Sequence, residues 1–497
     1  MWWFKAMIYP FRVIRFRLDQ ARWRVTSGAI RPTIVTSTRV VPKLLSYERL
    51  FHPTFTMTTN RRTLLKHIGG TSALLAVVGC ISAQKQGSSD GSGSGDGQSG
   101  SNGSSAGDTN GSGSGTAGNE SGSAGSAGSA KAWYSLPEPE IPARKSAIKA
   151  FNSQSKNSLK GADISDMEKK TTSAIPAGQG AQTFEWAHDW VGDYFQRGFV
   201  VDQSDNLGVT LDSFTSAAAE AIQFEGNIVG LPHAAETVTL IYNTDMVDEA
   251  PKTVADMVSM MKEHHDPSNG TYGLSYPFDP YYTSAWLQAF GGYYFDPDKE
   301  QMLGVNKKQT VRGLEFALEN FKPYMPNDPK YEPQAAAFAA GNAAFAINGP
   351  WYLATLNEKG VNYEVTSLPS PDGGTVKPYT GITMWYFTKA MEESGADTAA
   401  ARSFIEWYVT NEDHLLTLAK DQGVIPVLSS LVGSDELPSE VQTFSQTVKQ
   451  GVPMPTHPKM NKVWPGMETA LISAFNGDST AKAALDQAAK TIRSNWE

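Results

Sequence analysis

Residues 87 to 130 are almost entirely Gly, Ser, Ala, Asn and Asp, and no other feature limits so strongly what this chain can fold into. Such a tract has too few apolar side chains to offset the entropy of ordering its backbone, so it reads as a disordered tether. A flexible coil of its 44 residues spans roughly 35 to 40 Å. Folding is therefore left to the residues C-terminal to the tract. The 367 residues from Lys131 onward can bury a large core, and a chain of 497 residues allows two or three domains.

The segment ahead of the tether reads as an address. From Met57 it runs MTTNRRTLLKHIGGTSALLAVVGC, with Arg61-Arg62, a short apolar stretch and then Val77-Val78-Gly79-Cys80. The stretch is too short to span a bilayer, and its basic front end fits an export signal. The order resembles a twin-arginine signal over 57 to 80, closed by a lipoprotein cleavage box, which implies a lipid anchor on Cys80 and a place on the extracellular face of the cell membrane. A lone cysteine is otherwise inert filler of a core. Residues 1 to 56 have no place before such a signal and read as a non-native extension, translation being expected to start at Met57. The tether then covers 81 to 130. Asn102, Asn110, Asn119 and Asn269 lie in glycosylation sequons, which also arise by chance in such tracts.

Charge narrows the set of partners. Of 42 Lys+Arg and 51 Asp+Glu, 13 basic and 2 acidic residues precede Cys80, which leaves 29 against 49 and a net charge of −20 after it. That balance has no basic footprint for nucleic acid. Two readings of it stand: ordinary acidity, or a halophilic surface kept soluble when salt screens repulsion. One cysteine rules out an internal disulfide framework and any multi-cysteine metal site.

The foldable part alternates apolar strands with amphipathic helices, which predicts an α/β body with largely parallel sheets. KAWYSL, EGNIVGLPHA and TVTLIYN read as strands, and ARKSAIKAFNSQS as a helix. TVRGLEFALENFKPYM carries Val311, Leu314, Leu318 and Phe321 at helical spacing behind a Thr310 cap. AARSFIEWYVTNEDHLLTLAKDQG reads as a helix ending on Gly423, and WPGMETALISAFNG as one with Pro465 in its first turn and Gly477 at its end.

Six stretches, in order, carry a resemblance to a known family. They are FEWAHDWVGDYFQRG, LPHAAETVTLIYNTDM, PYYTSAWLQAFGGYYFD, AFAAGNAAFAINGPW, KPYTGIT and GVPMPTHPKMNKVWPGMETALISAFNG. From Trp133 onward the chain resembles the maltose- and maltodextrin-binding proteins of ABC importers. The resemblance implies a two-lobe periplasmic-binding-protein-like fold with an interlobe ligand cleft and crossing hinge strands. Carried over, lobe one would hold 131 to 235 and 379 to 433, and lobe two 236 to 378 and 434 to 497. It further implies a monomeric receptor that captures an oligosaccharide and hands it to permease and ATPase subunits, with no catalytic residue, no metal and no cofactor.

A sugar ring shows aliphatic faces and a rim of hydroxyls, so its site needs flat aromatic platforms edged by planar acceptors. The resemblance places Trp186 and Asp189 in lobe one, Glu236 beside the hinge, Asp279 and Tyr281 in lobe two, and Trp351, Trp464 and Tyr331 as further aromatics of the cleft. Each has a plain structural reading. With 12 tryptophans present, a single one is more often core than platform. Asp279 before Pro280 is also ordinary turn chemistry, and Tyr331 near Pro333 fits a hydrophobic staple.

The departures matter as well. Trp190 and Glu468 stand where the family pattern has arginine, and SLPEPE replaces an Asp-Lys pair, with Glu138 as a candidate acceptor. Two rivals remain open. Asp189, Glu236 and Asp279 offer the paired carboxylates of a secreted glycoside hydrolase, which would release shorter sugars from maltooligosaccharides. A cell-surface structural lipoprotein would explain the tether but has no use for the aromatics. His264-His265 is the one close histidine pair and lies at a polar helix end, and no hydrolase elbow is present.

Overall fold

The computed structural model describes residues 126 to 497. The expectations placed on Cys80, on the signal over 57 to 80, on residues 1 to 56 and on most of the tether lie outside the described residues. Two sheets organise the rest. One orders its strands as Ile425–Pro426, Gly230–Glu236, Tyr379–Phe387, Thr183–Ala187, Ser129–Tyr134 and Ser158–Asp163, with Val452–Pro453 paired beside Tyr379–Phe387. The other orders Tyr363–Thr366, Thr239–Asn243, Ala343–Asn348 and Tyr272–Ser275.

Each sheet buries apolar residues against helices, as a sheet must. In the first lobe Phe184 stacks on Tyr386 at 4.5 Å, and the helix Ala396–Thr410 brings Phe404 and Tyr408 against Trp385. In the second lobe Trp286, wholly buried, packs on Phe321 beneath the helices Lys308–Asn320 and Ala481–Trp496.

The chain crosses between them at three places. Gly230–Glu236 runs into Thr239–Asn243, Tyr379–Phe387 re-enters the first sheet, and Val452–Pro453 pairs with it on the way to the final helices. Thr237 Oγ1 donates to the Tyr379 carbonyl at 3.1 Å, joining two of the crossings. These crossings overturn the expectation of largely parallel sheets. Tyr379–Phe387 enters opposite to its neighbours and pairs antiparallel with both Thr183–Ala187 and Gly230–Glu236, while Thr239–Asn243 is antiparallel to both of its own neighbours.

Other expectations shift in detail. The tether ends earlier than 130, because Ser129 and Ala130 already form strand: Ala130 is fully buried and Ser129 N–H donates to Asp397 Oδ1 at 2.8 Å. Gly128 is needed there, since a Cβ would sit 1.8 Å from the Ala396 carbonyl oxygen. Thr310 is not a cap. The helix starts at Lys308, and the buried Thr310 hydroxyl donates to the Gly304 carbonyl at 2.9 Å. The run expected as one helix through Gly423 is two, Ala396–Thr410 and Glu412–Gln422, broken where Asn411 caps the second by accepting from His414 N–H. Gly423 and Gly477 do end helices, in the left-handed region that glycine favours. The helix Ser439–Gln450 packs against strands of both sheets, Tyr363–Thr366 as well as Gly230–Glu236 and Ile425–Pro426, and Thr447 Oγ1 donates to Thr239 Oγ1 at 3.3 Å.

Candidate functional site

The WAHD turn builds one wall of the space between the lobes. Strand Thr183–Ala187 passes directly into the turn His188–Trp190, which leaves Trp186 half-buried at the cleft and Asp189 buried beside it. His188 fastens the turn to the crossings: Nε2–H donates to the Met454 carbonyl at 2.8 Å, and Nδ1 accepts from Ile382 N–H at 3.0 Å. Burial lowers this imidazole to about 4, so it stays neutral and serves as a fastener. Trp190, standing where the family pattern has arginine, is a prop. Its ring lies between Trp186 at 4.8 Å and Tyr194 at 5.0 Å, both at 27°.

The opposite wall comes from lobe two. Asp279 caps the helix Pro280–Leu287, accepting from Tyr281 N–H at 2.8 Å, so the turn chemistry read from the sequence is present along with a carboxylate at the cleft. Trp351 sits on the turn after strand Ala343–Asn348. Gly349 makes room for its ring, since a Cβ there would meet the indole at 2.1 Å. Tyr281 and Tyr282 buttress Trp351 at 6.2 and 6.1 Å. Trp464, in the first turn of Val463–Asn476, donates from Nε1 to Asp189 Oδ2 at 2.9 Å and so ties the two lobes together.

Between these walls lies a cavity of about 430 Å³. Trp186, Asp189, Glu236, Asp279, Tyr281, Trp351 and Trp464 all line it. Tyr331 does not. It stands behind Tyr282, ring centroids 6.1 Å apart, at the first residue of the helix Tyr331–Ala339, one position past the Lys330 cap and so not where a staple residue sits. The expectation for Glu138 is corrected by two positions: Glu138 points to solvent, and Glu140 of the same short turn lines the cavity. A turn of Pro-Glu-Pro-Glu offers two acids, and only the tertiary fold selects one. Glu185, Thr383 and Met454 also line the cavity and carried no signal separating them from ordinary strand and loop residues. Glu468 stands at its exposed rim.

The acids of the cavity divide by partner. Glu185 is held by both guanidinium nitrogens of Arg144, and His233 Nε2 lies 2.8 Å away. Burial pushes its carboxyl up, but Arg144 and His233 outweigh burial and hold it at about 2. Among the described residues Asp189, Glu236 and Asp279 have no cationic partner. Burial raises Asp189 to about 7 against the Trp464 bond, and Asp279 to about 6 against the Tyr281 N–H. Glu236, accepting from Thr383 Oγ1 at 2.7 Å, is also raised by burial. No group of His, Cys, Asp and Glu suited to holding a metal ion occurs among the described residues.

Known proteins resemble this chain in sequence and fold. The chain is 38% identical over 316 residues to the maltotriose-binding protein of Pyrococcus abyssi, covering 62% of this chain and 68% of that one. It is 26% identical to the maltodextrin-binding protein MdxE of Bacillus subtilis, covering 64% of this chain and 78% of the relative. The solved structure of the Thermus thermophilus maltotriose binding protein bound with maltotriose matches with a TM-score of 0.67 at 27% identity, over 74% of this chain and 100% of that one. The family model for bacterial extracellular solute-binding proteins matches residues 146–445. With the two lobes, the cavity between them and these matches in hand, the chain belongs to the family of bacterial extracellular solute-binding proteins.

Proposed function

We propose that this protein is the oligosaccharide receptor of an ABC importer and that its ligand is a maltodextrin of a few sugar units. One observation carries the reading: a single cavity of about 430 Å³ takes aromatic rings and carboxylates from both lobes, within the size range of small-ligand sites. Trp186, Trp351, Tyr281 and Trp464 supply flat surfaces for sugar faces. Asp189, Glu236 and Asp279 accept from hydroxyls through charge-assisted bonds. A ligand held by one lobe gains contacts to the other only on closure, so it favours the closed form by its differential affinity. The closed form is then the signal to the permease and ATPase subunits. The protein works as a monomer, tethered outside the membrane through a lipid on Cys80.

Calorimetric titration with maltose, maltotriose and longer maltooligosaccharides, alongside galactooligosaccharides, tests the ligand. Saturable maltotriose binding without shorter products is expected. Hydrolysis would favour the glycosidase reading, and no binding by any of these sugars would end the receptor reading. For the anchor, Cys80→Ala should release the protein from membranes or block its processing. A variant that stays in the membrane fraction with an unchanged N-terminus would refute it.

A further inference from the structure

The cavity is unusual in its charge. Six carboxylate side chains line it, and no Lys, Arg, His, Asn or Gln does. Only Glu185 has a cationic partner, and Arg144 is engaged by that carboxylate through both nitrogens. Sugar oxygens need donors as well as acceptors. The hydroxyl of Thr383 and the indole N–H of Trp464 are already spent on Glu236 and Asp189, while the buried Tyr281 hydroxyl has no partner among the described residues and is one free donor at the cavity.

Glu140 differs from the other unpaired acids. It is 8% exposed, and it accepts no hydrogen bond from the described residues, whereas Asp189, Glu236 and Asp279 each accept one. The groups facing it are Arg144, Glu185 and Tyr408 of the first lobe, Glu236 at the crossing and Tyr331 of the second lobe. The single cation among them is already neutralised by Glu185, so an ionised Glu140 in the closed cavity has no counter-charge. A buried, unpaired carboxylate is costly, and taking up a proton removes the cost.

We propose that capture by this cleft is proton-coupled: as the lobes close over an oligosaccharide, Glu140 takes up a proton from solvent and, as a carboxylic acid, donates a hydrogen bond to a sugar oxygen. The inference rests on the oligosaccharide reading above. The helix Leu353–Lys359 of lobe two packs against the turn Glu138–Glu140, so parting the lobes would return the carboxyl to water, where a carboxylate is ionised at neutral pH. In the closed cavity burial, then Glu185, push it up to about 8. Linkage sets the sign. The bound form carries more protons, so affinity falls as pH rises from the ordinary carboxylate range to about 8, by up to tenfold per unit, and levels off above it.

Calorimetric titration of the full chain with maltotriose at pH 7.5, in phosphate and in Tris, reads the proton directly from the buffer dependence of the heat. Net uptake of roughly half to one proton per sugar is expected. Glu140→Gln, which imitates the protonated acid, should lose most of that uptake and bind no more weakly at pH 9 than at pH 7. Glu138→Gln, on the exposed acid two positions away, should behave as the parent. Maltotriose binding whose heat is the same in both buffers overturns the proton coupling and leaves the receptor reading standing. Full uptake retained by Glu140→Gln overturns the assignment to Glu140. Failure of the folded parent to bind any of the oligosaccharides removes both readings. The parent's own buffer dependence decides the coupling even where the variant does not fold.

Discussion

Glu185 and Asp189 lie four positions apart on one strand and turn, both buried, yet their surroundings treat them oppositely. The region around Glu185 is a closed electrostatic unit. Arg144 grips the carboxylate, His233 stands beside it, and the guanidinium lies within 5.3 Å of the ring centroids of Tyr134, Trp385 and Tyr408. The region around Asp189 is left incomplete, with the Trp464 indole N–H as its side-chain donor and no cation among the described residues. Charges that serve the fold are satisfied by the fold. Charges left short of partners face the cavity, where a ligand can complete them, and that is how the binding wall is told apart from the floor beneath it.

The largest break in this comparison should come from the floor. Arg144→Ala leaves Glu185 buried without its cation and should cost about 3 to 5 kcal/mol of stability, read as an early melting transition. Trp190→Ala, which removes the prop behind Trp186, should cost a similar amount. An Arg144→Ala protein melting like the parent would show that the floor is not a structural unit.

Next come the platforms. Trp351→Ala and Trp464→Ala should each weaken maltodextrin binding by about 2 kcal/mol, roughly 30-fold, with less loss of melting temperature than Arg144→Ala and more for Trp464→Ala, which also strips Asp189 of its indole donor, than for Trp351→Ala. Calorimetry beside melting curves separates the two effects. Early melting with parental affinity would assign these rings to the core instead of the cavity.

A smaller effect sharpens the contrast between the two acids through pH. Asp189 is raised to about 7 in the fold, so it binds its proton more tightly folded than unfolded, and its contribution makes the protein less stable as pH climbs from the ordinary aspartate range through about 7. Glu185 is depressed to about 2, so its stabilisation is present above the ordinary glutamate range and is lost as pH falls through about 2. Asp189→Asn should remove part of the loss between pH 5 and pH 8, on the order of 1 to 2 kcal/mol. Stability profiles of parent and variant that run parallel over that interval would refute the assignment.

The smallest effect is salt. The net charge of −20 after Cys80 should make melting rise from low to molar salt as screening shortens from about 30 to about 3 Å. The Arg144–Glu185 pair, 6% and 4% exposed, should respond little. A flat melting temperature across that range would leave ordinary acidity as the reading of the charge.

Much of the fold and site is legible in the sequence where local chemistry decides. Gly423 and Gly477 stop helices because only glycine enters the left-handed region at no steric cost, and both do so here. Trp186, Trp351 and Trp464 stand out by motif order and meet in one cavity. Tyr331 and Glu138 fail for a different reason. Each sits within one helical turn of the surface that matters, and a shift of one row or two residues is invisible to spacing alone. The expected parallel sheets fail because strand direction depends on where the chain re-enters a sheet, which periodicity does not encode.

The sequence by itself determined that strands and helices alternate after the long polar tract, and that aromatics and acids recur in the order of a binding cleft. Those properties are local, set by side-chain entropy, hydrophobic period and residue type. The tertiary structure alone decided which acids are paired and which are not. Glu140 meets Arg144 four residues on, but Arg144 reaches Glu185 across 41 positions and Trp464 reaches Asp189 across 275. Whether a buried carboxylate is held ionised or driven toward protonation is fixed by such distant partners, because Coulomb attraction and desolvation depend on separation in space and not along the chain.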